Sequence, residues 1–432
     1  MSLLDDPAAQ KLLKDAKLSP AAVEACSARL NRFLRRYLPL FYRKEQRKNA
    51  AIVIRGRLSG LERKTSEPIA IQSGVERKPI QSFVGAGKWD DEAVMAELRC
   101  HVGEKLADPN AVLVVDSSAF PKKGIESCGV QRQWCGRLGK IDNCQVGVFL
   151  VYAGRNGHAA LDRRLYLPRE WAADPERRKK CHVPREVVFQ EKWQIADQQL
   201  ATHGAQLPHG WIAGDDEFGR VTEFRKRLRE RHERYVLDVP CNTLVRDLER
   251  RPRRRRRKNP FLRADEWAAR RRASQWQKFQ VRDGEKGPLE VEALSVAVQT
   301  KEEGRVGSEE RLVVIRTVEK TTYHLTNAAA EVPLSELVRA RAERHRIEEV
   351  FQEGNGEVGL DHYEVRSWVG WHHHMTLAMV AMWFLSLERR RVGGENPGGD
   401  AVAVASGVHP VAAVSGSISR RDRRRCDSCV AA

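Results

Sequence analysis

The chain has 432 residues, enough for two or three domains and a sizeable core. With 41% hydrophobic and 31% charged residues it is globular rather than a disordered polyelectrolyte. A formal net charge of +18 points to a polyanionic partner, nucleic acid first. The opening MSLLDDPAAQ lacks the basic and apolar regions of a secretory signal. The longest apolar run, Met375 to Leu387, is too short to span a bilayer. A cytoplasmic protein with no membrane partner is therefore expected. The nine cysteines fall into no zinc or disulfide framework, and Cys426 and Cys429 form a lone CxxC.

Taken in order, residues 1–108 read as a basic helical region suited to DNA. Pro20 to Phe41 carries Val23, Leu30, Phe33, Leu34 and Leu38 at helical spacing, with Arg32, Arg35 and Arg36 on other faces. Phe41 to Leu61 continues with Arg43, Lys44, Arg47, Lys48, Arg55 and Arg57, and Asp90 is an N-cap candidate for a helix to Leu106. From 109 to 240 the pattern alternates. Strands are expected at Val112–Asp116, Gln145–Tyr152, Arg164–Leu167, Trp211–Gly214 and Tyr235–Val239, and helices at Pro184–His203 and Gly219–His232, an α/β core. Residues 241–332 read as a β-rich insertion, with strands at Leu289–Val298, Arg311–Val318 and Thr322–Leu325. It carries the block Arg250 to Lys258, a solvated loop able to neutralise phosphates. Residues 333–391 return to helix, Pro333–Gln352 and then Val365–Arg391, and 392–432 read as a disordered tail.

Three acidic sites stand out. Asp116 ends the aliphatic run AVLVVD, Asp215 ends the strand of WIAGDDEFG, and Glu348-Glu349 lie in the helix RAERHRIEEVFQE. A strand-end aspartate alone is as readily a turn cap as a ligand. Two of them followed by a helical glutamate suit hard divalent cations, which prefer carboxylate oxygens. Two ions roughly 3.5–4 Å apart can activate a nucleophile and stabilise the leaving oxygen of a phosphodiester. Arg341, Arg344, Glu348 and Asn355 share one helix face if the helix persists past Gly354. The competing reading of Arg344 and Glu348 is a solvated i,i+4 ion pair.

These blocks resemble a family. DSSAFPKKGIESCGVQRQWCGRLGKIDNCQVGV, WIAGDDEFGR and HRIEEVFQEGNGEVGLDHYEVRSWVGWHHHMTL are similar to the segments around the three acidic residues of bacterial insertion-sequence transposases of the DDE superfamily, over roughly residues 25 to 390. The resemblance implies an α/β fold: an RNase H-like mixed sheet flanked by helices, with an N-terminal helical domain and a β-strand insertion domain. It implies Asp116, Asp215 and Glu348 as catalytic and metal-binding, with Asp216 and Glu349 as the alternatives in register. It implies two Mg²⁺ ions, with Mn²⁺ able to substitute. The subgroup signature Y-x2-R-x3-E-x6-K is matched by Arg344 and Glu348, while Arg341 and Asn355 replace its Tyr and Lys. Arg344 keeps a phosphate-binding role, and Asn355 cannot supply a charge.

Other DNA-contact candidates are Lys122 and Lys123, for which a surface role competes, and Trp276, a candidate for stacking on an extruded base. Trp267 competes with Trp276, and core packing with both. His372, His373 and His374 are consecutive on a helix and cannot all face one ion. The expected activity is metal-dependent hydrolysis at element ends and strand transfer into target double-stranded DNA. The chain would act as a dimer assembled on DNA, in a bacterial cytoplasm and at the nucleoid when bound. The alternatives are an impaired remnant that only binds DNA, suggested by Asn355 and the texture of the tail, and a general nuclease of the same fold.

Overall fold

Val112 to Val115 are all fully buried, as an aliphatic run is when both faces of its strand are covered. They begin β1 (Val112–Pro121), the axis of the sheet. β3 (Lys140–Gly154) pairs antiparallel along all of β1, from Val112↔Ala153 to Pro121↔Cys144. β5 (Trp211–Gly214) pairs parallel on the other side only as far as Val115↔Gly214. The strand therefore runs beyond Asp116, and Asp116 is the first residue past the end of β5. β2 (Gln131–Cys135) and β4 (Gly157–Leu165) pair antiparallel with β3, and β6 (Tyr235–Val239) runs parallel to β5. The order β4-β3-β1-β5-β6, antiparallel and then parallel, is an RNase H-like core.

The structure is a computed structural model describing residues 20–249, 260–284, 287–302 and 304–395. The block Arg250 to Lys258 and the tail from residue 396, with Cys426 and Cys429, lie outside the described residues.

The N-terminal region supplies α1 (Pro20–Tyr37), α2 (Lys44–Arg57), α3 (Ser66–Ser73), α4 (Arg77–Ala86) and α5 (Asp91–Leu106), capped as expected by Asp90, which accepts from Ala93 N at 3.0 Å. The core helices are α6 (Arg169–Ala173), α7 (Pro175–Lys180), α8 (Lys192–His203), α9 (Asp216–Gly219) and α10 (Thr222–Glu230). The helix expected from Pro184 starts only at Lys192. Arg178 takes the carbonyls of Pro184 and Val187 at 2.9 and 2.7 Å, and a Glu191–Gln194 capping box opens the helix instead. The insertion adds β7 (Leu244–Asp247), β8 (Leu262–Arg263), α11 (Ala264–Ala269), β9 (Gln277–Gly284), β10 (Gly287–Glu302), β11 (Arg305–Arg316) and β12 (Thr321–Thr326). These strands continue the core's sheet, because β12 pairs with β6 at Tyr323↔Val239. They cover a smaller apolar cluster of their own around Trp267, Leu294, Val298 and Leu312.

α12 (Leu334–Ala342), α13 (His345–Glu357) and α14 (Trp368–Glu395) complete the described chain. α14 lies between β4 and the N-terminal helices, so helical region and sheet share one apolar core. Its three histidines and Thr376 are hydrogen-bonded. Arg163, 1% exposed, donates to Thr376 Oγ1 at 2.7 Å. His372 bonds Trp368 O at 2.9 Å, His373 bonds Val84 O and Trp89 O at 3.2 Å, and His374 bonds Leu360 O at 2.9 Å.

Burial holds these imidazoles neutral: His372 and His101 are pushed down to about 4, and His373 and His374 are also lowered. A free histidine titrates near 6.5. Their contribution is therefore complete above that value and is lost as pH falls from about 6.5 towards 4, where only the unfolded chain takes up protons. The unfolding temperature is expected to fall clearly between pH 7 and pH 5 in calorimetry. A flat profile over that window would contradict the packing described.

Candidate active site

Asp116 and Asp215 come together because β1 and β5 are parallel neighbours whose pairing stops at Val115↔Gly214, the residue before each aspartate. Gly214, just before Asp215, lets the strands approach closely: a Cβ there would sit 3.0 Å from Val115 Cγ2 and 3.2 Å from Leu237 Cδ2, so those side chains would have to shift. Asp215 caps the short α9, its Oδ1 accepting from Glu217 N at 3.0 Å, and Asp116 Oδ1 accepts from Ser117 N at 2.7 Å. Burial, and then the charge of Asp215, raise the Asp116 pKa against the opposing pull of Arg344. Burial, with Glu217 and Asp216 adding, raises that of Asp215, and Arg344 again opposes. Two carboxylates pressed together out of water favour a bound cation or a shared proton.

Glu348 comes from α13. The helix expected from Pro333 to Gln352 is broken at Glu343 and Arg344, and α13 then runs past Gly354 to Glu357, which brings Asn355 onto it. At this break the Arg344 guanidinium bridges Glu348 at 3.2 Å, Asp116 at 3.7 Å and Asp238 at 3.7 Å. Asp238 on β6 is a third carboxylate in this row of strands. It also pairs with Arg341 at 3.2 Å and with the fully buried His324 at 2.8 Å. Burial opposes the Asp238 charge, but His324, Arg341 and Arg344 outweigh it and hold the carboxyl well below the usual range.

Sequence reasoning missed Asp238, although YVLDVP repeats the apolar-strand-then-Asp pattern of the other two sites. As the anchor of Arg344, Asp238→Asn is expected to lower cleavage about 10–100-fold. Affinity for a labelled duplex should be unchanged by anisotropy. A parallel loss of affinity would make Asp238 a DNA contact or a general structural residue instead.

One cavity of about 850 Å³ is lined by Asp116, Asp215, Glu348, Arg344 and Asn355, with Ser117, Lys192 and Glu217. Glu217, also missed, is held by Ser117 Oγ at 2.7 Å and Lys192 Nζ at 2.6 Å. Asn355 turns a buried Oδ1 with no hydrogen-bond partner in the described chain. Of the alternatives in register, Asp216 also lines this cavity and pairs there with Arg220 at 2.5 Å, while Glu349 pairs with Arg346 at 2.7 Å and His158 at 3.7 Å. Lys122 lies over the Tyr363 ring at 3.3 Å and donates to Tyr363 O at 3.2 Å, while Lys123 is exposed. Trp276 packs against the insertion's own core, with Arg316 over its ring at 4.0 Å.

The all-carboxylate donor set and the raised aspartate pair suit a hard divalent cation. As folded, Glu348 is turned to Arg344 and His345, and among the described residues no three acidic, histidine or cysteine side chains are gathered closely enough to hold an ion.

Residues 36–288, more than half of the chain, match the DDE superfamily endonuclease family. The chain belongs to that family. The match encloses Asp116 and Asp215 and stops short of the glutamate helix. The chain is also similar to a protein of Microchaete diplosiphon described as "Probable transposase for insertion sequence element IS701", 31% identical over 118 residues. That alignment covers 27% of this chain and 30% of the relative. DDE superfamily membership implies a divalent metal, in keeping with the donors that line the cavity. No helix among the described residues is long and apolar enough to cross a membrane.

Proposed function

We propose that this DDE superfamily protein is a DNA transposase. It would hydrolyse a phosphodiester at element ends and join the resulting 3′-hydroxyl to target DNA. The observation that carries the reading is the meeting of Asp116, Asp215 and Glu348 on one cavity, with both aspartates buried and Asp116 burdened by the charge of Asp215. Mg²⁺, held by these three carboxylates, would supply charge neutralisation and nucleophile activation. The chain's own residues do the rest. Asp116 would present its oxygens from within β1 and Asp215 from the end of β5. Arg344, once Glu348 turns from it, is placed to take a phosphate oxygen while Asp238 holds its other side. Lys192 and Glu217 form a second charged pair at the same wall.

The exposed Arg32, Arg35, Arg43, Lys44 and Lys48 of α1 and α2 are proposed to contact phosphates away from the cut. Lys123 is proposed to do the same, whereas Lys122 serves the fold through Tyr363. Two ends must be joined, so a dimer on DNA is proposed. A plasmid or oligonucleotide nicking and joining assay with Mg²⁺, against EDTA, tests the reading. Binding without any metal-dependent cut would favour a second reading, a DNA-binding remnant, for which Asn355 in place of a lysine is the motive.

A further inference from the structure

The turn between β2 and β3 carries a patch that the reaction outlined above does not use. Trp134 is 61% exposed and Ile141, its partner across the hairpin, 60%; Leu138 in the turn is 44% exposed. Contiguous apolar side chains left in water usually mark a contact surface. The exposure does not come from a loose hairpin. Its other face is sealed by the buried Cys135, Cys144 and Val146, and Gln133 Nε2 donates to Cys144 O at 3.0 Å. Trp134 and Arg137 lie on the wall of the cavity that holds Asp116, Asp215 and Glu348. Arg132 and Lys140 are exposed beside them, Lys140 paired with Asp142 at 3.0 Å, and Arg137 is braced by Asp361.

A π-face among cations, continuous with a carboxylate site, fits an unpaired nucleotide: base on the ring, phosphates on the basic side chains. An apolar protein partner would gain nothing from the three cations. Trp276 is less suited, because Arg316 covers one face of its ring.

We infer that Trp134 is a stacking platform for an unpaired base of the DNA strand whose phosphodiester lies at the carboxylates, with Ile141 and Leu138 supporting the ring. The inference rests on the DNA-processing reading of the cavity. Base–aromatic stacking is worth about 1–3 kcal/mol per base, roughly a 5- to 150-fold change in affinity. The probe is a duplex with a three-nucleotide 3′ overhang carrying 2-aminopurine, with a blunt duplex as control, both in EDTA.

Wild-type protein is expected to quench the 2-aminopurine on binding. Trp134→Ala should lose most of the quench and bind the overhang duplex at least about fivefold more weakly, with blunt-duplex affinity unchanged. Trp134→Phe should restore most of both signals. Because the side chain is exposed, the alanine variant is expected to keep the wild-type unfolding temperature. Equal quenching by wild type and alanine variant, or an equal loss on both duplexes, would overturn the inference; the first outcome would leave the patch as a protein contact. The quench needs no metal and no cut, so it stands apart from the nicking assay. A Trp134-dependent quench in a protein that never cuts DNA would sink the transposase reading and leave this one standing.

Discussion

Asp116→Asn is expected to abolish metal-dependent cleavage, by about a hundredfold or more, and at the same time to make the protein more stable. Both effects come from one arrangement. The position just past the β1–β5 pairing that offers Asp116 to a cation also buries it against Asp215, and both factors raise its pKa. An unfolded aspartate ionises near 4, whereas the folded one resists ionising until higher pH. Stability is therefore fully present below about 4 and is lost as pH rises towards the raised folded value. Asparagine removes that loss, so above neutral pH the variant should melt higher, by roughly 2–4 °C. Added Mg²⁺ should raise the melting temperature of the wild type and leave the variant nearly unmoved. Calorimetry at pH 8 with and without Mg²⁺, beside a nicking assay, checks all three. An active Asp116→Asn protein would remove Asp116 from the site, and a less stable one would contradict the charge crowding.

Glu348→Gln and Glu349→Gln are expected to separate function from structure at adjacent positions. Glu348 lines the cavity, and its side chain, 53% exposed, is held by Arg344 and His345 on its own helix and turn. Exposed pairs of this kind contribute little, so Glu348→Gln should fold as the wild type does. Its cleavage rate should fall about a hundredfold or more. Glu349 is less exposed, pairs with Arg346 on the same helix, and ties α13 to His158 on β4. Glu349→Gln should keep most of its activity and melt lower. Rates and melting temperatures of the two variants, measured side by side, decide the register; the reverse pattern would move the third carboxylate to Glu349.

Much of the fold was legible in local patterns. Aliphatic runs placed β1, β5 and β6, and helical spacing placed α1, α2, α5 and α14, because burial imposes these periods on short stretches. The three acidic candidates could be picked out as well, although Asp116, read as a strand end, lies inside β1. Three features could not be read locally. The helix through Arg344 is broken, which lets its guanidinium reach Asp116, Asp238 and Glu348 together. Asp238 looked like an ordinary strand residue until β6 was seen one strand from β5. Trp276 was the stacking candidate and Trp134 was passed over; packing placed Trp276 against the insertion's core and left Trp134 exposed on the wall of the cavity.

The amino-acid sequence by itself determined the basic balance, the order of strands and helices and the three carboxylate positions, because these depend on neighbours within a turn or a strand. Only the tertiary structure decided which polar groups meet. Parallel pairing of β1 with β5, and the point where that pairing stops, put Asp116 beside Asp215. Contacts between residues a hundred or more positions apart follow from strand order and register, which no local pattern encodes.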